Sequence, residues 1–77
     1  MQDRGPVATS VRAHIAGTIW KVEVSLDDEV AEGDTVVVIE SMKMEIPVEA
    51  SLGGRVAAIH VKTGQSVEEG DRLLELE

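Results

Sequence analysis

Few side chains in this 77-residue chain can do chemistry. Residues 40–46 read Glu-Ser-Met-Lys-Met-Glu-Ile, which sets one primary amine, Lys43, between two methionines. Carboxylates stand three residues before it at Glu40 and two after it at Glu45. A deprotonated lysine attacks activated carbonyls and keeps the acyl group as an amide. An amine in water is ordinarily protonated at neutral pH, so the proton must be lost before such an attack. Met42 and Met44 are flexible and polarizable and can pack against several different surfaces. Glu40, Ser41 and Glu45 are candidate recognition groups beside the amine.

Other chemistry finds no support. His14 and His60 fall on outward strand positions, far apart in sequence, and read as solvated side chains rather than a ligand pair. There is no cysteine, no metal-ligand spacing, no nucleophile–base pair and no phosphate-cradling glycine loop. Gly-Asp-Thr-Val-Val-Val at 33–38 is turn and strand, not a dinucleotide fingerprint. The chain is read as supplying no catalytic residue and binding no metal.

The elements that must position Lys43 are written in an internal repeat. Residues 11–40 lie over residues 48–77 without gaps at an offset of 37, with nine of thirty positions identical. Background composition gives roughly two identities by chance. Val11 meets Val48, Gly17 meets Gly54, and Glu32-Gly33-Asp34 meets Glu69-Gly70-Asp71. Glu40 meets Glu77, which weakens any reading of Glu40 and Glu45 as a dedicated acid–base pair.

Both copies alternate apolar and polar residues with period two, the mark of strands with one buried face. Trp20, Val22 and Val24 share one phase, as do Ala57, Ile59 and Val61. Counting in steps of two puts Trp20 in the core, although its repeat partner Ala57 is small, which leaves partial exposure open. Val37, Ile39, Leu74 and Leu76 are expected to face inward, with Val38 and Glu75 outward. Glycines at 16–18 and 53–55 read as bulges or tight bends. Each Glu-Gly-Asp reads as a turn whose glycine takes positive φ. No segment holds a sustained 3.6-residue period, so helices should be absent or a single turn.

These signals predict an all-β fold, a flattened barrel-sandwich of two roughly four-stranded antiparallel sheets with a pseudo-two-fold axis. Residues 1–10 are expected to be a flexible tail and 11–77 one domain. The unmatched residues 41–47 form the hairpin joining the halves. Pro47, which cannot donate to a ladder, suits its edge. Lys43 then sits where that hairpin projects farthest.

The totals limit what such a domain does. The formal charge is −8, from fifteen acidic and seven basic residues, which argues against nucleic acid. Trp20 is the single aromatic residue, so no base- or sugar-stacking platform is expected. No apolar run approaches the ~18 residues of a membrane span, and the first ten residues lack a signal-peptide core. A monomeric domain in a reducing cytoplasm is expected, and its opening methionine and short tail suit a complete small protein.

The stretch Glu40-Ser41-Met42-Lys43-Met44-Glu45, on a hairpin between duplicated halves and with Lys43 34 residues from the C-terminus, resembles the attachment motif of the biotinyl domain family. The resemblance covers residues 11–77. It implies that Lys43 is the biotinylated residue, with Met42 and Met44 as flanking recognition groups, and that the chain is a biotin carboxyl carrier. The implied partners are biotin protein ligase, which loads Lys43, a biotin carboxylase and a carboxyltransferase. In that family ATP and bicarbonate carboxylate the biotin ureido nitrogen, and a second enzyme passes the carboxyl group to an acyl-CoA or 2-oxo acid. The arm's reach of roughly 10 Å or more falls short of active sites tens of ångströms apart, so the domain itself must travel. A lipoyl carrier on the same fold is the alternative, but it usually carries Asp-Lys where this chain has Met42-Lys43. An unmodified adaptor of the membrane-fusion type would have a helical hairpin between the halves, and none is inserted. The gap-free repeat also leaves no room for the thumb insertion of some acetyl-CoA-type carriers.

Overall fold

The computed structural model describes residues 9–77, and residues 1–8 of the expected tail lie outside the described residues. Eight strands follow in order: β1 (Thr9–Arg12), β2 (Gly17–Val22), β3 (Glu29–Val30), β4 (Thr35–Ser41), β5 (Met44–Glu49), β6 (Gly54–Ile59), β7 (Ser66–Val67) and β8 (Arg72–Leu76). No helix occurs among the described residues. Thr9 and Ser10, expected in the tail, belong to β1, where they pair with Leu76 and Glu75.

The strands form two four-stranded antiparallel sheets, ordered β5-β4-β2-β7 and β1-β8-β6-β3. The halves are interleaved: β3 of the first half pairs with β6 of the second, and β7 of the second pairs with β2 of the first. Neither half closes a sheet alone. The turns repeat at the same offset. Gly33 N–H donates to Ala50 and Ala50 N–H to Asp34, while Gly70 N–H donates to Ala13 and Ala13 N–H to Asp71. Gly33 and Gly70 hold φ of 91° and 93°, as the Glu-Gly-Asp reading requires.

The core between the sheets is aliphatic. Val37, Ile39, Leu74 and Leu76 are buried in it, as their phase predicts. Val36 and Leu73 are fully buried as well, beside residues of the opposite phase. Each is the extra residue of a β-bulge: the β4–β5 register slips at Val36 and the β1–β8 register at Leu73. A second bulge pair corrects the placement of Trp20. The β2–β4 register slips between Ile19 and Lys21, and the β6–β8 register between Val56 and Ala58. One extra residue reverses the alternation. Ile19 and Val56 therefore enter the core, while Trp20 stays 46% exposed and Ala57 faces out.

Gly17 and Gly54 open strands rather than forming bends. Their value is close approach. A Cβ on Gly17 would meet the Glu40 carbonyl oxygen and lie 2.7 Å from Ile39 Cγ2, and one on Gly54 would lie 2.9 Å from the Glu77 carbonyl oxygen. The ends of β4 and β8 are thus held against β2 and β6.

Candidate functional site

The hairpin at the seam is tighter than a seven-residue connector suggests. Strands β4 and β5 stay paired to its tip: Val38 with Pro47, Ile39 with Ile46, Glu40 with Glu45, and Ser41 with Met44. Pro47 is tolerated because β5 is an edge strand. Only Met42 and Lys43 remain for the loop, and both adopt left-handed backbone, with φ of 52° and 66°. Two such residues make a type I′ turn, whose twist matches that of paired strands. The turn normally uses Asn-Gly or Gly-Gly, because a Cβ disfavours positive φ. Met-Lys gives no such sequence signal, so this geometry was not legible; the register imposes it.

The tip lies in solvent. Met42 is 91% exposed, Met44 is 64% exposed, and Lys43 is exposed between them. Among the described residues the Lys43 amine makes no ion pair and no hydrogen bond. Met44 and Ser41 face each other below the turn, with Ser41 half-buried. One step further, Glu40 and Glu45 sit opposite one another, exposed and, among the described residues, without a cationic partner. Like charges directly across a ladder oppose pairing, so this acidic couple does not help the hairpin fold. The arrangement offers one accessible nucleophile, an apolar collar and a negative flank. No group is set to deprotonate the amine.

The histidines stand elsewhere. His14 is exposed in a loop. His60 is not simply solvated: its Nε2 lies 3.2 Å from Glu75 Oε2. Glu75 also accepts from the Ser10 hydroxyl at 3.0 Å and lies 3.5 Å from Arg72. The Ser10 hydrogen bond, with help from His60 and Arg72, holds the Glu75 carboxyl below its ordinary range, against the opposing effect of burial. The signal in the sequence was a glutamate on the outward phase of an apolar strand. No cluster of three metal-ligating side chains occurs among the described residues.

A family model described as "Biotin-requiring enzyme" matches residues 7–76. This chain belongs to the biotin/lipoyl attachment family. The Bacillus subtilis protein named "Biotin/lipoyl attachment protein" is 46% identical over 87% of this chain and 92% of its own length. The Streptococcus mutans biotin carboxyl carrier protein is 43% identical over 87% of this chain, which spans 52% of that protein. The crystal structure of Kluyveromyces lactis urea carboxylase superposes with a TM-score of 0.88 and 33% identity, over 99% of this chain and 7% of that one. The attachment domain is thus a homologue of the carrier domains of biotin-dependent carboxylases.

The residues present fit the family's prosthetic group. An amide to biotin needs one primary amine free of internal partners on a segment that an enzyme can enclose. Lys43 supplies that amine on a two-residue tip.

Proposed function

We propose that this chain is a biotin carboxyl carrier whose biotin is joined by an amide to Lys43 Nζ. The observation that carries the reading is a single unpartnered amine at the apex of the type I′ hairpin on the family's duplicated sandwich. When bound, biotin supplies a ureido nitrogen that accepts and releases a carboxyl group. The chain itself does three things. The ladder from Val37 to Ser41 holds the tip at a fixed distance from the core. Met42 and Met44 give each visiting enzyme apolar contact that adapts to its surface. Glu40, Ser41 and Glu45 mark this lysine apart from Lys21 and Lys62, which lie outside the hairpin.

The partners are a biotin protein ligase, a biotin carboxylase and a carboxyltransferase, which this monomeric domain visits in turn. In the ligase Lys43 loses its proton and its positive charge, and Nζ attacks the carbonyl of biotinyl-adenylate, so that the amide C–N bond forms as the acyl C–O bond breaks and AMP leaves. All catalytic groups belong to the partners. Tethering keeps the carboxyl group from diffusing away and raises its concentration at the next site.

Mass spectrometry after co-expression with a biotin ligase tests the assignment. The intact chain gains one biotin, and fragmentation locates it at Lys43. Lys43→Arg gains none, because a guanidinium stays protonated and cannot be acylated at neutral pH. Incorporation at Lys21 or Lys62 in that variant overturns the reading. A lipoyl adduct on the parent, distinguishable by mass, returns the chain to the sister cofactor.

A further inference from the structure

The two sheets have pseudo-symmetric outer faces, and one serves as a control for the other. On the hairpin sheet, Lys21 pairs with Val38 and Val38 with Pro47. The bulge sets Trp20 next to Lys21 and away from the core. An apolar strip, Trp20–Val38–Pro47, crosses this outer face. On the second sheet the equivalent positions are Ala57, Glu75 and Ser10, with Ala58 in place of Lys21. There the strip is small and polar, tied by the Ser10–Glu75 hydrogen bonds and by His60. The frame therefore closes without an apolar outer strip. The one aromatic ring of the chain is spent where packing does not require it.

We propose that the Trp20–Val38–Pro47 strip is a docking surface for the enzyme that acylates Lys43, which meets it with an apolar patch flanked by basic side chains. The inference rests on the carrier reading above. Three observations support this occupant. The strip is continuous with the tip: Val38 lies three residues from Ser41 along β4, about 10 Å at ~3.3 Å per residue. A partner face of about 800 Å², the ordinary size, has a radius of about 16 Å and reaches the strip when centred on the tip. The charge pattern also selects the partner. Glu40 and Glu45 border the strip on the tip side, and Glu23 and Glu49 are exposed towards the other end. Lys21, the cation beside the strip among the described residues, lies 3.9 Å from Glu23. Finally, before acylation there is no prosthetic group for an enzyme to hold. Lys21 and Lys62 are exposed amines too, so the loading enzyme must choose Lys43 by reading the protein around it.

Trp20 makes the test possible on the unaltered chain. With 5-fluorotryptophan incorporated, the unmodified chain gives one fluorine resonance, and adding biotin protein ligase shifts or broadens it. In steady-state loading, Trp20→Ala, which copies Ala57, raises the KM for the carrier about tenfold with kcat unchanged, as expected for loss of an aromatic contact within the interface. Salt raises the parent's KM through screening of the acidic flank. His60→Ala, on the opposite face, leaves loading unchanged. If Trp20→Ala melts early, Val38→Thr gives the same KM test with a smaller change of shape. A fluorine resonance indifferent to saturating ligase overturns the proposal, as does a parental KM in a folded Trp20→Ala. Normal loading with slowed carboxyl transfer reassigns the face to a later partner and equally overturns it. A parent chain that never accepts biotin defeats the carrier reading instead, so the two failures are distinguishable.

Discussion

Replacing Met42 with asparagine should make the unmodified protein more stable. Met42 holds φ of 52° with a full-sized side chain. For an ordinary L-residue the left-handed well costs roughly 1–2 kcal/mol. Asparagine occupies that well several-fold more readily and favours the first loop position of type I′ turns. Recovering half of the strain gives about 0.5–1 kcal/mol. Little packing offsets the gain, because Met42 is 91% exposed. For a domain of this size about 1 kcal/mol moves Tm by about 4–8 °C, so the expected rise is about 2–8 °C. Calorimetry on the unmodified chain, with matching urea midpoints, measures it. Met44→Asn is the control: Met44 lies in extended β5, where asparagine is disfavoured, and that variant should not gain. A Met42→Asn protein that melts at or below the parent refutes the argument, because the turn would then hold no recoverable strain. Stability recovered so easily but left unused by the natural residue suits a side chain kept for contact with partners. Loading of Met42→Asn should accordingly slow while its melting temperature rises.

Three other expectations follow from the same geometry. Gly17→Ala should lose about 1–3 kcal/mol in urea unfolding, since its Cβ would press on the Glu40 carbonyl and on Ile39, which cannot retreat without moving β4; parental stability would remove the close-approach explanation. Glu75→Gln should be less stable than the parent at pH 7, with the gap closing in acid. The folded Glu75 carboxyl is held low, so its stabilisation is present above the ordinary value of 4.5 and is lost as pH falls through the folded value; a gap as wide at pH 3 as at pH 7 contradicts this. Lys43→Arg should melt with the parent while accepting no biotin, because the Lys43 amine makes no internal contact that folding needs.

Much of this architecture was legible because the chain states it twice. The 37-residue offset exposed the two halves, the Glu-Gly-Asp turns and the inward set of Val37, Ile39, Leu74 and Leu76. The placement of Trp20 failed for a physical reason. Period-two counting assumes an unbroken ladder, and a bulge adds one residue without changing composition. A trace was present all the same. Adjacent apolar residues recur at the same offset, Ile19-Trp20 with Val56-Ala57 and Val36-Val37 with Leu73-Leu74, and each pair contains the extra residue of a bulge. The left-handed Met42-Lys43 pair left none. Backbone register and the absence of any further loop residue force that conformation, and neither can be read from two side chains that usually avoid it.

The pseudo-symmetry also bears on what the glutamates beside the tip do. Glu77 is the counterpart of Glu40, and it is held in place: Arg55 pairs with both Glu77 and Asp27, the latter at 2.8 Å. At the hairpin end the equivalents of Arg55 and Asp27 are Thr18 and Gly64. The cation and its second anchor are both gone. Glu40 is left facing Glu45 alone, a like-charge pair that the hairpin must hold together against its repulsion. The same frame thus neutralises its glutamate at one end and leaves two bare at the other, within the same hairpin as the unpartnered amine. Folding gains nothing from that difference. Under the carrier reading proposed above, basic side chains on the loading enzyme would satisfy both carboxylates, and only while it is bound.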